Sequence, residues 1–174
     1  MLLVIQFENR DVEVTVDGKL VSLSLFRSAK GGEDYDNLRP LDYPHTNIFL
    51  LCFSVMNPSS FDNIRQRWLP EVDHHVPEAV IVIVGTKIDL REDKDALESL
   101  ASKHLAPVTY HQGKSLAEEA SSESFNVFGY FEISALTGKG LKELFEEATR
   151  AALSGRSFKS LAHNDHKDHK CVVM

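Results

Sequence analysis

Gly85-Thr86-Lys87-Ile88-Asp89 and Glu132-Ile133-Ser134-Ala135-Leu136 are two short segments whose residue types are suited to one kind of recognition. Each follows an apolar run, Val80-Ile81-Val82-Ile83-Val84 in the first case and Tyr130-Phe131 in the second, and each precedes a helical stretch. Loops at the carboxyl ends of parallel strands are where α/β sheets bind nucleotides. In such a loop the Asp89 carboxylate can accept two hydrogen bonds, from N1–H and the 2-amino group of guanine, which adenine cannot supply. Lys87 would lie over base and ribose, and a backbone N–H near Ala135 would meet the guanine O6. A single Lys-x-Asp turn is usually only a polar loop. Two matched loops favour guanine recognition, with Thr86, Lys87, Asp89, Ser134, Ala135 and Leu136 as the candidate contacts.

The elements that must position these loops are legible as strand, strand, then alternating helix and strand. Residues 12–16 and 20–26 alternate apolar with polar across Asp17-Gly18, a hairpin signal. Residues 48–55 and 80–84 are near-continuous apolar runs, as in parallel strands covered on both faces. Residues 60–71, 95–102, 112–121 and 140–153 read as helices. In the last of these Leu141, Leu144, Phe145, Ala148 and Ala152 recur at helical spacing and form a core-facing stripe.

Composition narrows the class. At 174 residues and 43% hydrophobic content the chain is long enough for one core. A formal charge of −7 argues against nucleic acid as a partner, since polyanion binding wants a basic footprint. The two cysteines, Cys52 in a strand run and Cys171 near the end, make no disulfide framework and suit a reducing compartment. No apolar run approaches a membrane span, and the first residues do not read as a signal peptide.

Further along, the residues resemble a known family. The run Glu33-Asp34-Tyr35-Asp36-Asn37-Leu38-Arg39-Pro40-Leu41-Asp42-Tyr43-Pro44 is similar to the second switch of Rho/Rac-type small GTPases of the Ras superfamily. So are Phe49-Leu50-Leu51-Cys52-Phe53-Ser54, Trp68-Leu69-Pro70-Glu71-Val72, His74-His75 and Val84-Gly85-Thr86-Lys87-Ile88-Asp89-Leu90-Arg91. The stretch 93–105, ahead of Pro107-Val108-Thr109-Tyr110-His111-Gln112-Gly113, resembles the extra helix of the Rho branch. Phe7-Glu8-Asn9 matches the effector segment. Cys171-Val172-Val173-Met174 looks like a prenylation box, with terminal Met leaning toward farnesyl. The resemblance implies a Ras-like P-loop NTPase fold, a mostly parallel sheet with helices on both faces. It also implies GTP/GDP binding, contact with Rho-family effectors and regulators through Phe7, Glu8, Asn9 and Tyr35, and peripheral attachment to the cytoplasmic face of a membrane through Cys171.

Several departures from the family bear on chemistry. Its phosphate loop, GxxxxGK[ST], holds phosphates with backbone N–H groups and a Lys. None of the nine glycines opens that pattern; Gly18-Lys19, Gly113-Lys114 and Gly138-Lys139 lack its spacing. The fold is therefore expected to be incomplete, without the first strand and phosphate loop. Ile5 stands where the family has a magnesium-ligating Thr. In the segment Arg27-Ser28-Ala29-Lys30-Gly31-Gly32, Arg27 replaces a metal-serving Asp and Gly32 a water-orienting Gln. No catalytic or metal-ligating residue is assigned, and magnesium is not expected. Losing three or four charge-assisted hydrogen bonds of roughly 1.5–3 kcal/mol each would cost about 5–10 kcal/mol, a factor of roughly 10⁴–10⁷ in affinity. Nucleotide binding is expected to be weak or absent and hydrolysis lost. The alternative is a nucleotide-independent module that engages effectors or regulators.

The organisation expected is a truncated GTPase-like domain over residues 1–153 and a flexible tail over 154–174. Without its central first strand, the sheet would carry two unpaired inner edges between residues 20–26 and 48–54. A marginal domain is expected, with residues 1–5 poorly placed to fill the gap. One lipid chain anchors weakly. Arg156, Lys159, Lys167 and Lys170 are partly offset by Asp165 and Asp168, so attachment should be reversible. His163, His166 and His169 would add charge on acidification.

Overall fold

The computed structural model describes residues 10–26, 39–153 and 170–173. Phe7, Glu8, Asn9, Tyr35, the segment 27–32 and the tail histidines lie outside the described residues. Among the described residues six strands form one sheet: β1 (Arg10–Val16), β2 (Lys19–Leu25), β3 (Ile48–Ser54), β4 (Val80–Thr86), β5 (Val127–Glu132) and β6 (Lys170–Val173). Their order across the sheet is β1-β2-β6-β3-β4-β5. The β1–β2 hairpin is antiparallel, and every later pairing is parallel. Asp17 and Gly18 both have positive φ (51° and 76°), the turn that matches right-handed strand twist.

The helices are α1 (Pro58–Asn63), α2 (Leu69–His75), α3 (Lys94–Ala101), α4 (Tyr110–Ser122) and α5 (Leu141–Leu153). β4 shows why the sheet needs two covered faces: its residues 80–85 are all buried. Ile81 and Ile83 join Phe49, Phe53, Ile64, Leu69, Leu116 and Ala120 in one cluster. Val80, Val82 and Val84 join Val21, Leu23, Ile48, Leu144 and Ala148 in the other. Alternate residues of a strand point to opposite faces, so one strand serves both cores.

Three differences from the sequence reading have physical causes. The helix expected over 60–71 is interrupted by a wider, π-helical turn, Ile64–Trp68, between α1 and α2. Pro70 supplies no N–H and its ring crowds the preceding turn, which a π turn relieves. Helix α4 begins at Tyr110, because a capping box sets its start. The Thr109 N–H donates to Gln112 Oε1 at 2.8 Å, and the Gln112 N–H donates to Thr109 Oγ1 at 3.2 Å. On α5, Leu144 and Ala148 are buried as the periodicity implies, while Leu141 and Ala152 are half-buried and Ala151 and Thr149 complete the buried face.

The largest correction concerns the gap and the tail. Lys170–Val173, expected to be part of a flexible tail, is a strand, and it lies in the central position between β2 and β3. The inner edge of β2 is paired in register from Ser22↔Lys170 to Leu25↔Val173, while β3 meets the same strand at Ile48↔Val173. Unpaired backbone groups inside a sheet are costly, and a short run containing Cys171-Val172-Val173 suits a strand.

Candidate functional site

The two candidate loops lie side by side where β4 and β5 end. Gly85↔Glu132 is the last aligned pair of these strands. Beyond it the Ile133 N–H donates to Gly85 O at 2.8 Å, and the Ile88 N–H donates to Ile133 O at 3.4 Å. The segments are thus stitched to each other by backbone on both sides of Thr86 and Lys87. Thr86 Oγ1 donates to Phe53 O at 2.8 Å, fixing the first loop to β3 as well.

Each loop has its own internal frame. Lys87 is exposed and adopts a left-handed conformation, φ 61°, which costs a non-glycine residue on the order of 1–2 kcal/mol. That turn swings the chain into the short 3₁₀ segment Ile88–Glu92, with Asp89 in its first turn and half-buried. In the second loop Ser134 is fully buried. Its N–H donates to Lys139 O at 3.0 Å, its Oγ accepts from the Thr137 N–H at 3.1 Å, and its carbonyl accepts from the Gly138 N–H at 2.9 Å. Ser134 therefore organises the loop from beneath, while Ala135 and Leu136 are exposed at the surface. Gly140 closes it at φ 76°, where a Cβ would fall 2.2 Å from Glu132 O.

A side-chain brace, not visible in the sequence, holds the two loops at a fixed separation. Arg91, two residues after Asp89, forms a fork onto Glu132 at 2.6 and 2.7 Å and donates to Val108 O at 2.6 Å. Tyr130 Oη donates to Glu132 Oε1 at 2.7 Å. Burial, reinforced by that carboxylate, pushes the Tyr130 phenol well above its ordinary range, so it remains a donor. Burial by itself would raise the Glu132 pKa, but hydrogen bonds from Arg91 and Tyr130 outweigh it and hold the carboxyl below its ordinary value. Two glycines make room for Tyr130. A Cβ on Gly113 would sit 2.2 Å from its ring, and one on Gly85 would sit 2.4 Å from its hydroxyl. Arg91 and Glu132 are 41 residues apart, and no local pattern marks them as partners.

Within the second switch-like run, Arg39 is buried and donates to both carboxylate oxygens of Glu71 at 3.0 Å. Tyr43 Oη donates to the same carboxylate at 2.5 Å, and the Arg39 guanidinium lies 4.9 Å from the Trp68 ring centroid. This cluster ties Arg39–Asp42 to α2. Cys171 is described only as backbone, in register with Leu23. Among the described residues no group of three or more His, Cys, Asp or Glu could hold a metal ion, and no helix is long and apolar enough to cross a membrane.

A mostly parallel sheet with helices on both faces, carrying paired loops at the ends of adjacent strands, defines a nucleotide-binding α/β protein of the Ras-like P-loop class. A family model described as the Ras family matches residues 2–154, and the chain belongs to that family. It is accordingly a small-GTPase-like, nucleotide-binding protein of a family that generally binds GTP or GDP with magnesium. Of the residues named for guanine contact, Lys87, Ala135 and Leu136 are exposed at the loop ends and Thr86 and Asp89 are half-buried.

Proposed function

We propose that this chain is a Rho/Rac-type member of the family that retains guanine recognition and has lost hydrolysis. The observation that carries the reading is the pre-built pair of loops, stitched by Ile133 N–H to Gly85 O and Ile88 N–H to Ile133 O and braced by Arg91 on Glu132. Preorganised groups avoid an ordering cost on binding. Bound GTP or GDP would supply the base; Asp89 would accept from it, Lys87 would cover it, and the Ala135 N–H would donate to O6. The Rho assignment is supported by the quoted motif runs and by α3, which follows the first loop with Asp93 as its N-cap.

Loss of turnover is supported by internal substitutions. Arg27 and Gly32 stand where the family has an Asp and a Gln, and neither binds magnesium or orients water as those groups do. In this reading Phe7, Glu8, Asn9 and Tyr35 face effectors or regulators. Cys171 carries a prenyl group that holds the protein reversibly on the cytoplasmic face of a membrane. One observation favours a second role, as a nucleotide-independent module: the Arg39–Glu71–Tyr43 cluster ties the end of the switch-like run to α2 through the protein's own side chains.

The test is titration of the purified protein with fluorescent GDP, with and without magnesium, and with ADP as control. Guanine-selective binding in the micromolar to millimolar range, insensitive to magnesium, is the expected result. Equal affinity for GDP and ADP would overturn guanine recognition. Steady release of phosphate from GTP would overturn the loss of hydrolysis.

A further inference from the structure

The strand β6 and the proposed lipidation site are the same four residues. Lys170–Val173 pairs with β2 at four consecutive positions, and its position 173 also pairs with Ile48 of β3. Position 171 is in register with Leu23, which is 2% exposed within the core on the α5 face. Any enzyme that modifies Cys171 must take hold of the backbone on either side of it, and that backbone is committed to the sheet.

We propose that β6 is a resident strand plug, and that sheet insertion and lipidation are alternative fates of residues 170–173. While the strand fills the slot between β2 and β3, Cys171 is withheld from modification. When it leaves, Cys171 becomes a substrate. The modification half rests on the prenylation reading above. In it, the Cys171 sulphur loses its proton and attacks the allylic carbon of an isoprenoid diphosphate. A C–S bond forms, the C–O bond breaks, and diphosphate departs. The lipid then holds residues 170–173 at the membrane, away from their register beside β2.

Two readouts on the full chain test this. In the first, a protein farnesyltransferase and farnesyl diphosphate are presented with the folded chain and, separately, with a peptide of residues 163–174. The expected initial rate on the chain is at least about tenfold lower, since a factor of ten corresponds to only about 1.4 kcal/mol of slot occupancy. In the second, hydrogen exchange follows the β2 amides that face β6, before and after farnesylation. Protection of the β6-facing amides within Ser22–Leu25 is expected before modification and its loss afterwards.

Equal rates on chain and peptide would overturn withholding. Unprotected β2 amides in the unmodified chain would overturn insertion itself. A peptide that accepts no farnesyl group would overturn lipidation at Cys171, and with it the prenylation reading, while the exchange result still decides insertion.

Discussion

The β4–β5 side of the sheet and the β2–β6–β3 slot are built to different standards. On the first, two seven- and six-residue strands run on into loops that are cross-bonded by backbone, forked by Arg91 on Glu132 and wedged by Tyr130. On the second, a four-residue strand joins β2 over its whole length and β3 at one position. The contrast separates two tasks that the family fold usually combines. The loops proposed to read a base sit on a cross-bonded edge, whereas the centre of the sheet is completed by a segment far away in sequence. A clamp of this kind does not depend on the slot's occupant.

The largest effect that distinguishes the two regions is expected from Arg91→Ala or Glu132→Ala. Each leaves a mostly buried partner charge unpaired, with side-chain exposures of only 25% and 13%. The expected destabilisation is about 3 kcal/mol, the lower end for a broken buried pair, read from the urea midpoint. Guanine-selective binding should be lost in the same variants. Next comes Gly113→Ala, whose new methyl meets the Tyr130 ring. Overpacking of this kind costs about 1–3 kcal/mol, and the displaced phenol should release Glu132 and blunt the preference for GDP over ADP.

A smaller effect is expected with pH. The folded-state pKa of Glu132 lies below its ordinary value of 4.5. Its contribution is therefore fully present above pH 4.5 and is lost as pH falls through the depressed value. Denaturation midpoints of the native chain and of Glu132→Gln should converge as pH drops below 4.5. A gap that widens in acid would contradict the brace. The smallest effect is expected from Arg150→Ala, which removes exposed contacts to the Asp17 turn and to Glu147. Exposed pairs contribute little, so the melting midpoint should stay unchanged while the hairpin amides exchange faster.

Much of the clamp edge was legible in the sequence, because the signals there are local: a continuous apolar run marks β4, and the loop residues follow their strands at once. At the opposite side of the sheet, Asp17-Gly18 marks the hairpin. The brace was not legible, since Arg91 and Glu132 carry no pattern that pairs them across 41 residues, and the glycines that admit Tyr130 look like ordinary turn or helix breakers. The slot was legible only as a deficit. Residues 170–173 follow a polar stretch and are too few to announce a strand, and their pairing is decided by an edge formed at residues 22–25. The π turn at Ile64–Trp68 was hidden for a related reason: apolar periodicity reports a helix but not its local width.

In the proposed function Asp89 reads the guanine edge from a preformed loop. The most direct measurement is competition for bound fluorescent GDP by unlabelled GDP and by xanthosine diphosphate, in the native chain and in Asp89→Asn. A carboxylate accepts from N1–H and the 2-amino group, whereas an Asn amide accepts from N1–H and donates to the 2-oxo group of xanthine. The expected result is that the native chain prefers GDP and that Asp89→Asn reverses the order in favour of xanthosine diphosphate. An Asp89→Asn protein that keeps the native preference would contradict it.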